Sequence, residues 1–362
     1  MGIDLFSEIY KDKKVLITGH TGFKGSWLAI WLINLGAEVH GYALEATRPE
    51  DNFKACEIQK YLHHKKGDIR DFDTLKSYIE SIKPDIVFHL AAQSLVKDSY
   101  ENPKLTLETN ILGTVNFFEA VRSCPSIKVA VNITSDKCYQ IKNNNISFTE
   151  ESHLGGNDPY SASKACSELI TQSYYKSFFQ SNNEVKIASA RSGNVIGGGD
   201  WNDNRIVPDA FRAIKENKPL VLRNEKAIRP WQFVLEPLAG YLKLGEKLFQ
   251  KGDTFCGAWN FGPSTVHTHS VLNLVQAVQA DIPNLSFEAA TKNNTNFETE
   301  VLMLDSTKAF LELGWKTHLD FKETIKFTSK GYLDSFNSNG EELYEKRLKQ
   351  IQEYCKIVNY ES

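Results

Sequence analysis

The sequence predicts a doubly wound parallel α/β sheet with a smaller C-terminal lobe, and three observations carry that prediction. Short β-branched runs alternate with helical apolar patterns from residue 13 to about 190, as in successive βαβ units. A glycine-rich stretch joins the first such run directly to the first helical pattern. After about residue 192 the alternation stops, and 362 residues are more than one compact core usually organises.

Taken in order, strands are expected at 14–18, 38–43, 85–90, 128–134 and 185–190, with a weaker sixth in HHKKGDI. Between them, 23–35, 71–83, 104–123 and 160–179 carry apolar residues at three- and four-residue spacing, as helices packed on a sheet do. Right-handed crossovers then place helices on both faces. Beyond 192 come a glycine-rich loop (GGGDW) and the proline-punctuated stretches PDAFRAIKENKPL and IRPWQFVLEPL. A helix at 235–250 followed by AWNFG reads as one more αβ unit of the first lobe. The lobes are therefore expected to interleave, 1–192 plus about 231–262 against about 193–230 plus 263–362. The last forty residues are polar and helical in pattern, with a break near Asn337 to Gly340.

Composition narrows the function classes. A formal net charge of −3 and a pI near 6.3 provide no global positive field, which argues against a nucleic-acid partner. Any anionic ligand must then be met by local groups. Six cysteines are scattered without a Cys-x-x-Cys pair, and His20, His89 and the His267/His269 pair lack carboxylate or thiol partners at ligand spacing, so no metal is expected. The first residues lack a positive segment followed by an apolar one, and no apolar run approaches the roughly 18 to 20 residues of a membrane span. These features lead to the expectation of a cytoplasmic protein with free thiols and no membrane contact.

The glycine stretch is Gly19-His20-Thr21-Gly22-Phe23-Lys24-Gly25, spaced G-x-x-G-x-x-G between a strand and a helix. Glycines there let the chain turn tightly, let the backbone approach a pyrophosphate, and let helix and strand pack closely. Gly19, Thr21, Gly22, Phe23, Lys24 and Gly25 are thus expected to cradle a dinucleotide in a Rossmann-type sheet. An acid at the end of the second strand would hold the adenosine ribose of NAD, but Tyr42-Ala43-Leu44-Glu45 stands there with Arg48 nearby. NAD is expected, with NADP left open. Asp68 and Ile69, after the third strand, are placed to meet the adenine, and Asp68 is equally suited to cap the next helix.

Tyr160-Ser161-Ala162-Ser163-Lys164 follows a polar loop and opens a helix, so tyrosine and lysine share one face about a turn apart. A neighbouring ammonium favours the phenolate, which can take a proton from a hydroxyl as hydride leaves. The segment Thr134-Ser135-Asp136-Lys137 ends the fifth strand, and both segments reach the carboxyl edge where ligands bind in such sheets.

Several strings occur in order over nearly the whole chain: TGHTGFKG, LAAQ at 90–93, TNILGT at 109–114, SDKCY at 135–139, PYSASK and RSGNVIG at 191–197. Together they resemble the extended short-chain dehydrogenase/reductase family. GHTGFKGSWL, LGGNDPYSASKA, GNVIGGGDW and IRPWQFVLEPLAGYL narrow the resemblance to its sugar-nucleotide 4,6-dehydratase branch, with CDP-glucose as the implied nucleotide sugar. The resemblance implies that Leu90, Ala91, Ala92, Gln93 and Asn110 also meet the cofactor. It implies that Tyr160, helped by Lys164 and Ser135, oxidises C4 of the sugar, and that Asp136 is the acid and Lys137 the base of a C5/C6 water elimination. Lys137 stands where the dTDP-glucose enzymes carry glutamate; a lysine acts as base only when neutral, and pairing with Asp136 or a phosphate is the alternative.

Arg205 and Arg229 are the expected partners of a diphosphate, since guanidinium groups match phosphate oxygens in bidentate fashion. Asn194 is expected to hydrogen-bond the sugar or diphosphate, with Asp200, Trp201, Trp231 and Gln232 as pocket wall. Helices 104–123 and 160–179 resemble the family's dimer contact, which implies a homodimer or homotetramer. A C4 epimerase, a dehydratase for another nucleotide sugar, and a non-catalytic dinucleotide sensor are the competing readings.

Overall fold

A computed structural model describes residues 6–141, 147–180, 184–263, 269–290 and 302–360. Seven parallel strands form the central sheet: β1 (Lys14–Thr18), β2 (Glu38–Ala43), β3 (His63–Lys66), β4 (Ile86–His89), β5 (Val129–Ile133), β6 (Lys186–Ser192) and β7 (Gly257–Phe261). Their order across the sheet is 7-6-5-4-1-2-3, so the chain builds outward from β1 in one direction and then reverses at β4. Each strand lies where its β-branched run predicted, and AWNFG joins the sheet as its last strand beside β6.

Strand alternation divides the core into two layers. Val15 and Ile17, Ile86 and Phe88, Val129 and Val131, and Ala188 and Ala190 face one layer. Leu16, Val87, Ala130 and Ile187 face the other. The first layer is covered by α1 (Phe23–Asn34) and α6 (Leu235–Lys251). The second is covered by α2 (Phe72–Ile82) and α3 (Gly113–Arg122). Helix α1 is buried from Gly25 to Leu32 because the sheet takes one side and the C-terminal helix α9 (Gly340–Tyr360) takes another, with Trp31 edge-on to Tyr354 at 5.8 Å. A polar C-terminal segment thus packs back on the first helix.

The expected helix at 104–123 is a helical run from Pro103 to Arg122 with a π turn at Glu108–Leu112. The expected helix at 160–179 is α4 (Pro159–Tyr174) followed by a π turn at Tyr175–Phe179. A third apolar cluster joins α5 (Ile206–Glu216), α7 (Val271–Asp281) and α8 (Phe321–Asn337) through Phe211, Leu274, Val275, Ile325 and Tyr332. Among the described residues no helix is long and apolar enough to cross a membrane.

The glycine loop is packed backbone against backbone. Gly19 has φ +79°, and a Cβ there would lie 2.6 Å from the Ala91 nitrogen; a Cβ on Gly25 would lie 2.2 Å from the Gly19 carbonyl oxygen. By contrast, a Cβ on Gly22 meets that same oxygen at an ordinary 3.4 Å. We therefore expect Gly25→Ala to cost about 1–3 kcal/mol through overpacking, and Gly22→Ala much less. Equilibrium urea unfolding of the two variants checks this, and equal losses would contradict it.

Candidate active site

Where the strand order reverses, a cavity of about 1280 Å³ runs along the carboxyl ends of the strands. Gly22 caps α1 without a side-chain hydrogen bond, and no acid stands in the first turn, so no carboxylate competes for the amides of that turn. Gly19, Thr21, Gly22, Phe23, Lys24 and Gly25 line this end, with Leu90, Ala91, Ala92 and Gln93 across from them. Backbone cradle, bare helix start and close Gly19–Ala91 approach fit a dinucleotide pyrophosphate.

Farther along, Tyr42, Ala43, Leu44, Asp68 and Ile69 line the wall. The Asp68 carboxylate takes Nε and Nη2 of Arg70 at 3.0 and 2.5 Å, which holds its pKa below the usual range. The Arg48 guanidinium is bound by the Asp203 carboxylate and the Trp201 carbonyl. Arg48 is thereby drawn away from β2, so it does not offer the partner that a 2′-phosphate would need.

Near the middle of the cavity, β5 is followed by Thr134 and Ser135, and Asp136 to Cys138 form a 3-10 turn capped by Ser135. The Ser135 hydroxyl donates to Asp136 Oδ1 at 2.9 Å and accepts from the Lys137 amide at 3.2 Å. Helix α4 starts at Pro159 with Asp158 as its cap, accepting from the Ser161 amide at 2.9 Å. That start presents Tyr160 and Lys164, both buried, to the same cavity. Burial pushes the Tyr160 phenol up to about 12, while its hydrogen bond with Ser135 and the Arg205 charge pull it down. Deprotonation of Tyr160 thus depends on positive charge beside it.

Two lysines carry depressed pKa values. Lys164 is lowered to about 8 by desolvation, against the opposing pull of Glu168. Lys24 is lowered to about 7 by desolvation, then by Lys164 and Arg205. Its ammonium donates to Ser192 Oγ at 3.2 Å and Tyr241 Oη at 3.3 Å. Lys24 therefore joins Lys164, Arg205 and Asp136 in the cavity, a placement that its position in the glycine loop did not reveal. Lys137 also lines the cavity, and its side chain is half-buried.

Beneath the Thr134–Cys138 segment lies a buried ion pair. Arg191 Nη2 and Glu168 Oε2 are 2.7 Å apart, each side chain 3% exposed. Glu168 also accepts from Thr134 and from Ser189 at 2.7 Å, and Arg191 reaches the Tyr139 hydroxyl at 2.6 Å. Glu168 thus ties β5 and β6 to α4 one turn beyond Lys164. The i, i+4 spacing of Lys164 and Glu168 was the signal that could have singled it out.

At the other end, Asn194, Arg205, Arg229, Asp200 and Trp231 line the cavity. Arg205 Nη1 donates to Asp200 Oδ2 at 2.8 Å, so Asp200 acts as a holder of the arginine. Three expected residues do not reach the cavity. Asn110 is drawn inward by the Gln93 backbone at 2.9 Å and by Ser163 at 2.8 Å, which makes it a brace for the Gln93 turn. Trp201 is edge-on to Tyr332 at 5.1 Å in the third cluster. Gln232 is buried and donates to the Phe261 carbonyl at 3.0 Å. Of the histidines, His89 stacks on Phe117 at 4.4 Å and contacts Thr18 Oγ1 at 2.7 Å, His20 contacts His64 at 2.7 Å, and His267 lies outside the described residues. Glu38, His40 and His63 gather three ligand-type atoms at the sheet edge. The buried Nδ1 of His40 has no hydrogen-bond partner there among the described residues, so it lacks the outer support of metal-bound imidazoles.

Residues 16–328 match the family described as GDP-mannose 4,6 dehydratase. The chain belongs to that family. It is 42% identical over 320 residues to the CDP-glucose 4,6-dehydratase of Salmonella typhimurium, covering 87% of this chain and 89% of that protein. Among solved structures it is similar to the epimerase Mth375 of Methanothermobacter thermautotrophicus, with a TM-score of 0.77, 25% identity and coverage of 94% and 96%. It is also similar to the Thermus thermophilus UDP-glucose 4-epimerase in complex with NAD, with a TM-score of 0.75, 25% identity and coverage of 88% and 99%. The sugar-nucleotide dehydratase resemblance and the Rossmann-type fold both hold.

Two expectations follow for this dehydratase-family site. Glu168→Gln leaves the Arg191 charge buried and unpaired, which costs about 3–5 kcal/mol, and Glu168→Gln with Arg191→Met recovers much of it. Urea melts of both variants decide, and equal losses would place the cost elsewhere. The second expectation concerns pH. Lys24 has a folded pKa of about 7 against about 10.4 in an unfolded chain, so the unfolded state binds the extra proton between those values. Stability of the protein alone therefore rises with pH across that window. The wild-type advantage over Lys24→Met should grow from about pH 7 to about pH 9, and a flat difference would refute it.

Proposed function

We propose that this chain converts CDP-D-glucose to CDP-4-keto-6-deoxy-D-glucose and water as an NAD-dependent 4,6-dehydratase. The observation that carries the reading is one buried cluster: Ser135 bonded to Asp136 at 2.9 Å, beside Tyr160 and Lys164, in a chain 42% identical to a CDP-glucose 4,6-dehydratase. A simple C4 epimerase has no hydroxyl to expel and no use for an acid and a base side by side. A non-catalytic sensor would not need Ser135, Tyr160 and Lys164 together. NAD is favoured by the commitment of Arg48 to Asp203 and by the NAD in the Thermus relative.

When bound, the cofactor accepts a hydride from C4 of the sugar and returns it to C6. Tyr160 takes the C4 hydroxyl proton, with Ser135 on the same cavity wall and Lys164 supplying positive charge one turn along α4. The C4 ketone acidifies the C5–H bond. Lys137 takes the C5 proton and Asp136 gives a proton to the departing C6 hydroxyl, so water leaves across C5 and C6. Lys137 returns the proton to C5 as C6 is reduced, which leaves the 4-keto-6-deoxy sugar and water.

In this reading residues 1–192 with 231–262 carry the cofactor, and 193–230 with 263–362 surround the nucleotide sugar. Arg205 and Arg229 meet the diphosphate and Asn194 the sugar side. A homodimer or homotetramer fits the apolar side chains that the two helical runs leave exposed, Leu105, Leu112 and Leu169 among them. Six free cysteines fit a reducing cytoplasm.

Incubation with NAD and CDP-glucose should generate the alkaline ultraviolet absorbance of a 4-keto-6-deoxy sugar. Silence with CDP-, dTDP-, UDP- and GDP-sugars alike would end the enzymatic reading. Lys137→Met should abolish exchange of the C5 hydrogen with solvent deuterium while leaving C4 oxidation measurable, and undiminished exchange would remove Lys137 as the base.

A further inference from the structure

Arg347, in the polar C-terminal helix α9, is fully buried. Its Nε donates to Asn52 Oδ1 at 2.8 Å, Nη1 to the Gly331 carbonyl at 2.8 Å, and Nη2 to Ser335 Oγ at 2.7 Å. The guanidinium also lies over the Trp27 ring at 5.2 Å. Each of these hydrogen-bond acceptors is neutral, and a well-packed apolar side chain usually stabilises such a place as well as a charge does. A fixed three-way fork, by contrast, sets geometry.

Two of these acceptor residues, Asn52 and Gly331, together with Trp27, support the GGGDW loop. The Asn52 amide donates to the Gly199 carbonyl at 3.3 Å, and Trp27 Nε1 donates to the Gly198 carbonyl at 2.9 Å. Gly198 and Gly331 meet backbone to backbone, so closely that a Cβ on Gly198 would lie 2.5 Å from the Gly331 carbonyl carbon. The next residue of α8, Tyr332, donates its hydroxyl to the Asp200 carbonyl at 2.6 Å. Asp200 in turn holds Arg205 at 2.8 Å in the cavity wall.

We infer that Arg347 is a positioning residue for nucleotide-sugar binding, seating the Gly198–Asp200 loop so that Asp200 aims Arg205 at the diphosphate. The inference rests on the reading above in which Arg205 meets that diphosphate. It makes the last helix of the chain part of the substrate site, although none of its residues lines the cavity.

A double-mutant cycle with CDP-glucose at saturating NAD tests it. Arg347→Met should raise KM about tenfold with kcat and NAD affinity held within about twofold, and should add nothing to KM in an Arg205→Met background. A role confined to holding the fold would lower kcat, NAD affinity and substrate affinity together, and that outcome overturns the proposal. So does a fully additive cycle. If Arg205→Met raises KM and Arg347→Met does not, this proposal fails and the Arg205 reading stands. If Arg205→Met leaves KM unchanged, the Arg205 reading fails and takes the proposal with it. Should Arg347→Met not fold, Tyr332→Phe carries the same cycle, because it keeps the ring stacked on Phe211 at 4.0 Å and removes only the tie to Asp200.

Discussion

The reversal of strand order between β1 and β4 is the constraint from which the site follows. All seven strands are parallel, so every loop after a strand emerges on one edge, and only at the reversal do loops diverge and leave a crevice. The loop after β1 brings Lys24, that after β4 brings Leu90 to Gln93, that after β5 brings Ser135 to Lys137, and that after β6 brings Asn194. How closely they converge is set by the bare backbone of Gly19 against Ala91. Chemistry drawn from residues more than a hundred positions apart in the chain thus meets through one topological feature.

Convergence concentrates charge. The chain is acidic overall, yet Lys24, Lys164 and Arg205 face one cavity with Asp136. Desolvation depresses both lysines, and the charges of Lys164 and Arg205 lower Lys24 further. The buried Glu168–Arg191 pair compensates from below: Glu168 raises the Lys164 pKa while its carboxylate also fixes Thr134, the residue before Ser135. Local anion attraction therefore arises within a protein of negative net charge, as a diphosphate ligand requires.

The layout of the sheet was legible because buried parallel strands read as β-branched runs and glycine loops punctuate them. Tyr160, Lys164, Ser135 and Asp136 were legible because they sit at helix and strand starts whose edge the topology dictates. Asn110, Trp201 and Gln232 were misplaced for a shared reason: each lies next to a cavity residue in sequence, but alternation or helical phase turns its side chain inward, toward Ser163, Tyr332 and the Phe261 carbonyl. Contacts such as Arg347 with Asn52, 295 positions apart, leave no local periodicity to read.

The 3-10 turn at Asp136–Cys138 explains how one short segment can serve two half-reactions. Three successive residues on a 3-10 turn point about a third of a revolution apart. Cys138 is thereby buried with Tyr139 and Leu304, which anchors the turn from behind, while Asp136 and Lys137 both remain on the cavity wall. Ser135 closes the turn at its start by accepting the Lys137 amide and donating to Asp136, and it shares the cavity wall with Tyr160. The residue proposed to help oxidise C4 is thus fixed by the turn that holds the proposed acid and base for C5 and C6. In that proposed mechanism a shift of the turn disturbs oxidation and elimination together, because one segment holds the groups for both.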